Sequence, residues 1–216
     1  AQNTKDRFAE ELNHLENSGM KALIIDVRNN PGGLLPVVVE IAEMFVPEGK
    51  IIAQFEDKSG VRQQQVSGGQ GKPYRIAVLV NEGSASASEI LAAALSESAG
   101  ATIIGTKTFG KGVVQSTFDG EFGDGSSLKI TIAKWLTPNG QYINGKGIEP
   151  DIAVELPEYF QITPLPKDKA LRYDDTGNDV RTLQIILATL GLKPDRTDGY
   201  FSKQTELAVK AFQKMH

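Results

Sequence analysis

Apolar positions along the 216-residue chain recur with two different spacings, and the switches between them mark out the elements. Phe8, Leu12 and Leu15 fall on one stripe at helical spacing within residues 5–18, which Gly19 stops. KALIIDV (21–27) is a short apolar run bounded by turn residues, the pattern of a buried strand. RNNPGG follows as a loop, and LLPVVVEIAEMF predicts a helix with proline near its start. KIIAQFED and VRQQQV predict strands joined around Ser59-Gly60. RIAVLV (75–80) is a second buried strand, NEGSASA a turn, and SEILAAALSESA a small-residue helix ending at Gly100. ATIIG is a third buried strand; TKTFGKG then leads into VVQSTF, and SLKITIAKWL alternates as a strand lying on a core. Asn139-Gly140 is a hairpin-turn signal.

Strands interleaved with helices predict a layered α/β core over residues 1–156, closing with GKGIEPDIAVEL. Residues 157–176 hold three prolines and scattered charges and are assigned to a linker. From Gly177 the pattern is purely helical, with VRTLQIILATLGL, a DGYF turn and QTELAVKAFQKM. The segment 177–216 is a second, all-helical domain near the lower size limit for independent folding, and it reads as incomplete at its C-terminus.

Charge and composition narrow the chemistry. A net charge of −4 argues against non-specific nucleic-acid binding, which needs a basic face, and no polybasic run offers itself to an anionic membrane surface. The longest apolar stretch, LLPVVVEIAEMFV, is broken by Pro36, Glu40 and Glu43, so neither a signal peptide nor a spanning segment is read here. The absence of cysteine excludes disulfides, thiolate metal sites and cysteine nucleophiles. Only His14 and His216 exist, one in the first helix and one at the last position. A Ser-His-Asp triad and a histidine zinc site therefore both lack their histidine, and no metal or cofactor is expected.

Ligands of open α/β folds sit at the carboxyl ends of strands, where RNNPGG and NEGSASA are placed. The first is either a tight turn or a glycine nest of converging N–H groups. The second carries Ser84, Ser86 and Ser88, which share a face if extended; in a helix Ser86-x-x-Glu89 is a capping box. Spacing does not choose among the three serines. Unpaired N–H groups at such a junction, facing those of the glycine loop, would make the two halves of an oxyanion hole. Lys111 in FGKGVVQ is flanked by Phe109, Val113 and Val114 rather than by charges. Apolar surroundings disfavour the ammonium, and a neutral amine accepts a serine proton; alternatively the stem packs and the head reaches water. Lys107 reads as a surface residue.

DVRNNPGG, NEGSASASEI, GTKTFGKGVVQ and GKGIEPD, in that order, resemble the carboxyl-terminal processing proteases, serine peptidases with a Ser-Lys dyad assisted by glutamine. The resemblance implies a crotonase/ClpP-like layered core. It implies Ser86 as nucleophile, Lys111 as general base, Gln115 as the residue orienting the amine, and Gly32 and Ala87 N–H groups as the oxyanion hole. Ser84 and Ser88 are left to loop and helix-start hydrogen bonds. In a regular strand Lys111 and Gln115 stand roughly 13 Å apart, so a bend is expected, with Gly112 as its place. The family's PDZ domain and the strand before the first helix are not found, so the chain reads as a fragment or truncation. Residues 177–216 resemble a peptidoglycan-binding module, with Ser202 where the pattern has glycine.

The expected activity is therefore endopeptidase cleavage of exported proteins at or near flexible C-terminal tails, on the extracytoplasmic side of the cell, with a targeting segment outside this chain. Peptidoglycan attachment or self-association is expected of the helical module. The competing reading is a non-catalytic scaffold that binds extended peptides by strand addition. A cofactor-dependent acyl enzyme would need a nucleotide or thioester pocket that the sequence does not offer.

Overall fold

Three apolar runs in the first half of the chain become parallel strands of one sheet. β1 (Ala22–Asp26), β4 (Arg75–Val80), β5 (Thr102–Gly105) and the short β8 (Ile152–Ala153) lie in the order β1-β4-β5-β8. The computed structural model describes residues 3–121, 123–155 and 164–215, which fall into two compact units, 1–154 and 155–216. In β1 and β4 the burial alternates, so that Leu23, Ile25, Ile76, Val78 and Val80 share the covered face. Ile24, expected to be buried with its neighbours, is 66% exposed on the opposite face, because the helices of the core pack against the other one.

Three helices build that core: α1 (Thr4–Asn17), α2 (Leu35–Glu43, with Pro36 in its first turn) and α3 (Ala87–Ala99). Ala92 and Ala94 of α3 are fully buried, and their small side chains let the helix lie close to its neighbours. Gly100 ends α3 in the left-handed conformation that glycine adopts without a Cβ penalty. In α1 the stripe is narrower than its spacing implied: Leu12 is buried and Phe8 meets Phe45 edge-on at 5.9 Å, but Leu15 is exposed.

Tyr74 and Lys72 both bind Glu16 at 2.8 Å, tying the end of α1 to the start of β4. The Lys72 bond, followed by the Tyr74 bond, holds the Glu16 carboxyl below the usual carboxylate range. A depressed carboxyl pKa gives stability that is present above the unfolded value and lost as pH falls through the folded one. Glu16→Gln is accordingly expected to flatten the acid limb of a thermal-melt pH series and to leave the neutral-to-alkaline limb parallel to wild type.

The second sheet is antiparallel, in the order β3-β2-β7-β6, from β2 (Ile51–Glu56), β3 (Arg62–Val66), β6 (Val113–Asp119) and β7 (Ser127–Leu136). Asn139-Gly140 does form a turn, closed by Gly140 N–H to Thr137 C=O at 2.8 Å, but no strand returns from it. The buried Gln54 amide donates to Pro138 C=O and Glu97 accepts Asn139 N–H, so side chains of β2 and α3 hold the loop in place of a partner strand.

In the second unit, α4 (Asn178–Thr189) packs with α5 (Lys203–Met215) around Val180, Leu187, Phe201 and Ala208. The fully buried Gln184 is satisfied by Tyr200 C=O, Thr205 Oγ1 and Gly199 N–H. Ser202 has a local reason to replace glycine: its hydroxyl accepts Thr205 N–H at 3.0 Å and caps α5. The segment assigned to a linker lies outside the described residues over 157–163. Its last residues belong to the helical unit, since Asp174 N–H donates to Phe201 C=O and Phe201 N–H to Asp175 C=O.

Candidate active site

The two loops predicted at the carboxyl ends of β1 and β4 lie side by side, and the serines explain why. Ser84 Oγ donates to Val27 C=O at 2.7 Å, and Ser88 Oγ donates to Asn30 C=O at 3.0 Å. The outer two serines thus clasp the residues leading into the glycine loop, and Ala85 N–H adds a third bond to Asn30 C=O. Asn29 and Asn81 complete the seam: Asn81 Oδ1 accepts Asn29 N–H, and Asn81 Nδ2 donates to Asn29 Oδ1. Ser86 is left between them, half-buried, at φ 56° and ψ −117°. For a non-glycine residue that backbone stores about 1–3 kcal/mol and is held only by its surroundings.

What holds it is Glu89, completely buried one turn into α3. Its Oε2 accepts Ser86 N–H at 2.8 Å and Lys111 N–H at 2.9 Å. Its Oε1 accepts Thr108 Oγ1–H at 2.6 Å and Gly110 N–H at 2.7 Å. A buried carboxylate is tolerated when its lone pairs are filled in this way, and its place near the N-terminus of α3 also suits the helix dipole. One oxygen shared by two amides puts the Ser86 and Lys111 nitrogens no more than about 6 Å apart, although the residues are far apart in sequence. The Glu89 arm of the capping box is therefore present, but it ties the helix to a second loop as well. Sequence reasoning had assigned Glu89 only to the cap. The available signal was its isolation as the one charge among SEILAAALS.

Lys111 is half-buried, and its main chain is fixed from a third side by Trp135, whose Nε1–H donates to Lys111 C=O at 2.7 Å. Among the described residues its Nζ enters no ion pair, unlike Lys107, which is exposed and pairs with Glu149 at 2.8 Å. The bend expected at Gly112 occurs around it instead: Gly110 has φ +87°, and a register shift falls between Val114 and Gln115 in the β6–β7 ladder. Gly112 is needed for a different reason, since a Cβ there would lie 2.7 Å from Asn144 N. Gln115 is exposed, and no hydrogen bond joins it to Lys111.

Gly32 meets the Ser86 loop directly. With φ +95°, a Cβ on it would lie 2.6 Å from Ala85 O, 2.8 Å from Ala87 N and 3.1 Å from Ser86 Cβ. Gly32→Ala therefore has to part the two loops; if the endopeptidase activity expected from the sequence resides here, kcat falls roughly 10²-fold with intact β-sheet circular dichroism. Ala87 N–H has no acceptor among the described residues, whereas Gly32 N–H donates to Asn30 Oδ1 at 3.0 Å. Beside these amides opens a cavity of about 300 Å³, walled by Val27, Leu34, Val37, Val38, Ile41 and Leu91. At the end of β1, Arg28 grips Asp26 with two nitrogens, and this side-chain bond holds the Asp26 carboxyl below its usual range. Among the described residues no group of three histidines or carboxylates is arranged for a metal ion.

Residues 1–154 match the family described as "Peptidase family S41", and residues 176–216 match the one described as "Putative peptidoglycan binding domain". The chain is 44% identical over 214 residues to the "Carboxy-terminal processing protease CtpB" of Bacillus subtilis (strain 168), covering 99% of this chain and 44% of that protein. It is also 44% identical over 199 residues to a "Probable CtpA-like serine protease" of Staphylococcus aureus (strain COL), covering 91% and 40%. Among solved structures, the "Photosystem II D1 C-terminal processing protease" superposes with a TM-score of 0.66 at 37% identity, over 72% of this chain and 40% of that one. The chain thus spans less than half the length of these relatives.

Proposed function

The chain belongs to peptidase family S41, and from that premise we propose that it carries the catalytic core of a carboxy-terminal processing serine protease, with Ser86 as nucleophile and Lys111 as base. One observation carries the reading: Glu89 gathers the main chains of Ser86 and Lys111 onto a single carboxylate oxygen, with Gly32 packed against Ala87 N on the other side of the serine. A strained serine, an unpaired backbone donor beside it and the nearby main chain of a lysine that enters no ion pair among the described residues support the reading.

The chemistry follows from that arrangement. Lys111 Nζ, as the neutral amine, takes the Ser86 hydroxyl proton while Oγ bonds to the scissile carbonyl carbon. The carbonyl electron pair moves onto oxygen, where the Ala87 and Gly32 N–H groups receive it. Lys111 returns the proton to the departing amine as the C–N bond breaks, and water repeats the sequence to release the acyl group. No metal or cofactor takes part. The adjoining cavity, walled by aliphatic side chains, accepts an apolar side chain of the substrate next to the scissile bond. Gln115 is kept as the residue that orients the amine by its position in the motif alone, since no hydrogen bond joins it to Lys111 in the structure.

Substrates are exported proteins with flexible C-terminal tails, and the helical unit attaches the enzyme to peptidoglycan on the envelope side of the cell. No helix among the described residues is long and apolar enough to cross a membrane. The test is mass spectrometry of an unfolded polypeptide with an apolar C-terminus, incubated with the chain and with its Ser86→Ala and Lys111→Ala variants. Cleavage by the parent chain alone is the expected result. Cleavage that survives either substitution removes the dyad.

A further inference from the structure

Of the two amides assigned to the oxyanion, only one is available, because the other is held by a side chain of its own loop. Asn30 Oδ1 accepts Gly32 N–H at 3.0 Å, in the position a negatively charged substrate oxygen has to take. We propose that Asn30 is a displaceable plug of the oxyanion site, released when a substrate side chain enters the apolar cavity. The proposal rests on the assignment of Gly32 and Ala87 as the oxyanion donors.

Three features make Asn30 suited to this. Its main chain is pinned, with its C=O accepting Ala85 N–H and Ser88 Oγ–H and its N–H donating to Val27 C=O. Release therefore needs only rotation of the side chain and leaves the loop in place. The residue is exposed, so its amide trades one hydrogen bond for water when it swings out, with no stranded polar group. Asn30 also lines the cavity together with Gly32 and Ala87, so an apolar side chain settling there competes for the space the amide borders. Recognition of that side chain and arming of the second oxyanion donor are then one event, and a polar residue at that position of the substrate fails to trigger it. Asn30 acts through Gly32 and is a positioning residue.

An Asn that merely shapes its turn and an Asn that competes for the donor make opposite predictions. Aspartate closes the same turn, since it offers the same acceptor two residues before Gly32, but it adds a negative charge where the oxyanion forms. Steady-state hydrolysis of a peptide with an apolar residue before the scissile bond is the first measurement. Asn30→Ala is expected to raise kcat roughly 2- to 10-fold with little change in KM, the span of one modest hydrogen bond no longer opposing the transition state. Asn30→Asp is expected to lower kcat roughly 10²-fold. The reverse order, with aspartate near wild type and alanine slow, is the signature of a structural turn and overturns the proposal.

Amide hydrogen exchange at Gly32 reads the plug without turnover. Protection that is present in the full chain and lost in Asn30→Ala is expected, and equal exchange in the two overturns it. A full chain that neither hydrolyses peptide nor forms a Ser86 adduct with a peptidyl boronate refutes the serine-protease reading instead, and the exchange result still decides whether Asn30 holds Gly32.

Discussion

Ser86→Ala and Lys111→Ala are each expected to slow peptide hydrolysis by roughly 10⁴-fold or more, and the double variant no further than the slower of the two. The reason is that, in the proposed dyad, the two side chains perform one act. Without the amine, the serine hydroxyl keeps its proton and attacks poorly; without the hydroxyl, the amine has nothing to activate. What remains in either variant is the polarisation that the proposed oxyanion donors, Gly32 and Ala87, would supply, which is why the losses are not expected to add. Steady-state kinetics of all four proteins on one peptide measure this. Losses that multiply in the double variant would mean that the two residues act independently, and the dyad would be abandoned.

The second large effect lies in a residue that touches no substrate. Glu89→Ala strands three N–H groups and one hydroxyl in the interior, and a loss of about 3–5 kcal/mol from the core is expected. Glu89→Gln keeps the shape but replaces one carboxylate oxygen by an NH₂ group. That group faces either the Ser86 and Lys111 amides or the Thr108 and Gly110 donors, and both orientations set donor against donor. Its expected cost is smaller, about 1–3 kcal/mol, with kcat down roughly 10²-fold because the Ser86 and Lys111 main chains are no longer held together. Urea unfolding of each variant beside its kcat separates the effects. A glutamine variant with wild-type kcat would show that the Ser86–Lys111 geometry does not depend on the carboxylate.

The middle serine illustrates where reading along the chain stops. NEGSASASEI placed three equivalent hydroxyls on one short segment, and the resemblance singled out Ser86 for chemistry. Its neighbours prove to be engaged with Val27 C=O and Asn30 C=O, carbonyls more than fifty positions away in sequence. Lys111 was visible as a cation without charged neighbours, but its partner through Glu89 was not. Gln115 matched by position, yet the bulge before it and its exposure follow from pairing with β7, which no local pattern describes.

Local periodicity and turn chemistry determined, by themselves, the helices α1 to α5, most of the strands, and the two loops at the carboxyl ends of β1 and β4. These depend on interactions within a few residues: side-chain spacing, glycine at positive φ, proline in a first turn. Tertiary structure alone decided which face of the parallel sheet is covered, why no strand follows Asn139-Gly140, and how one buried carboxylate joins two loops. It alone placed the Asn30 side-chain oxygen on the Gly32 N–H. Such contacts join residues whose neighbours in sequence carry no trace of one another, and burial sets their strength only after the chain has closed around them.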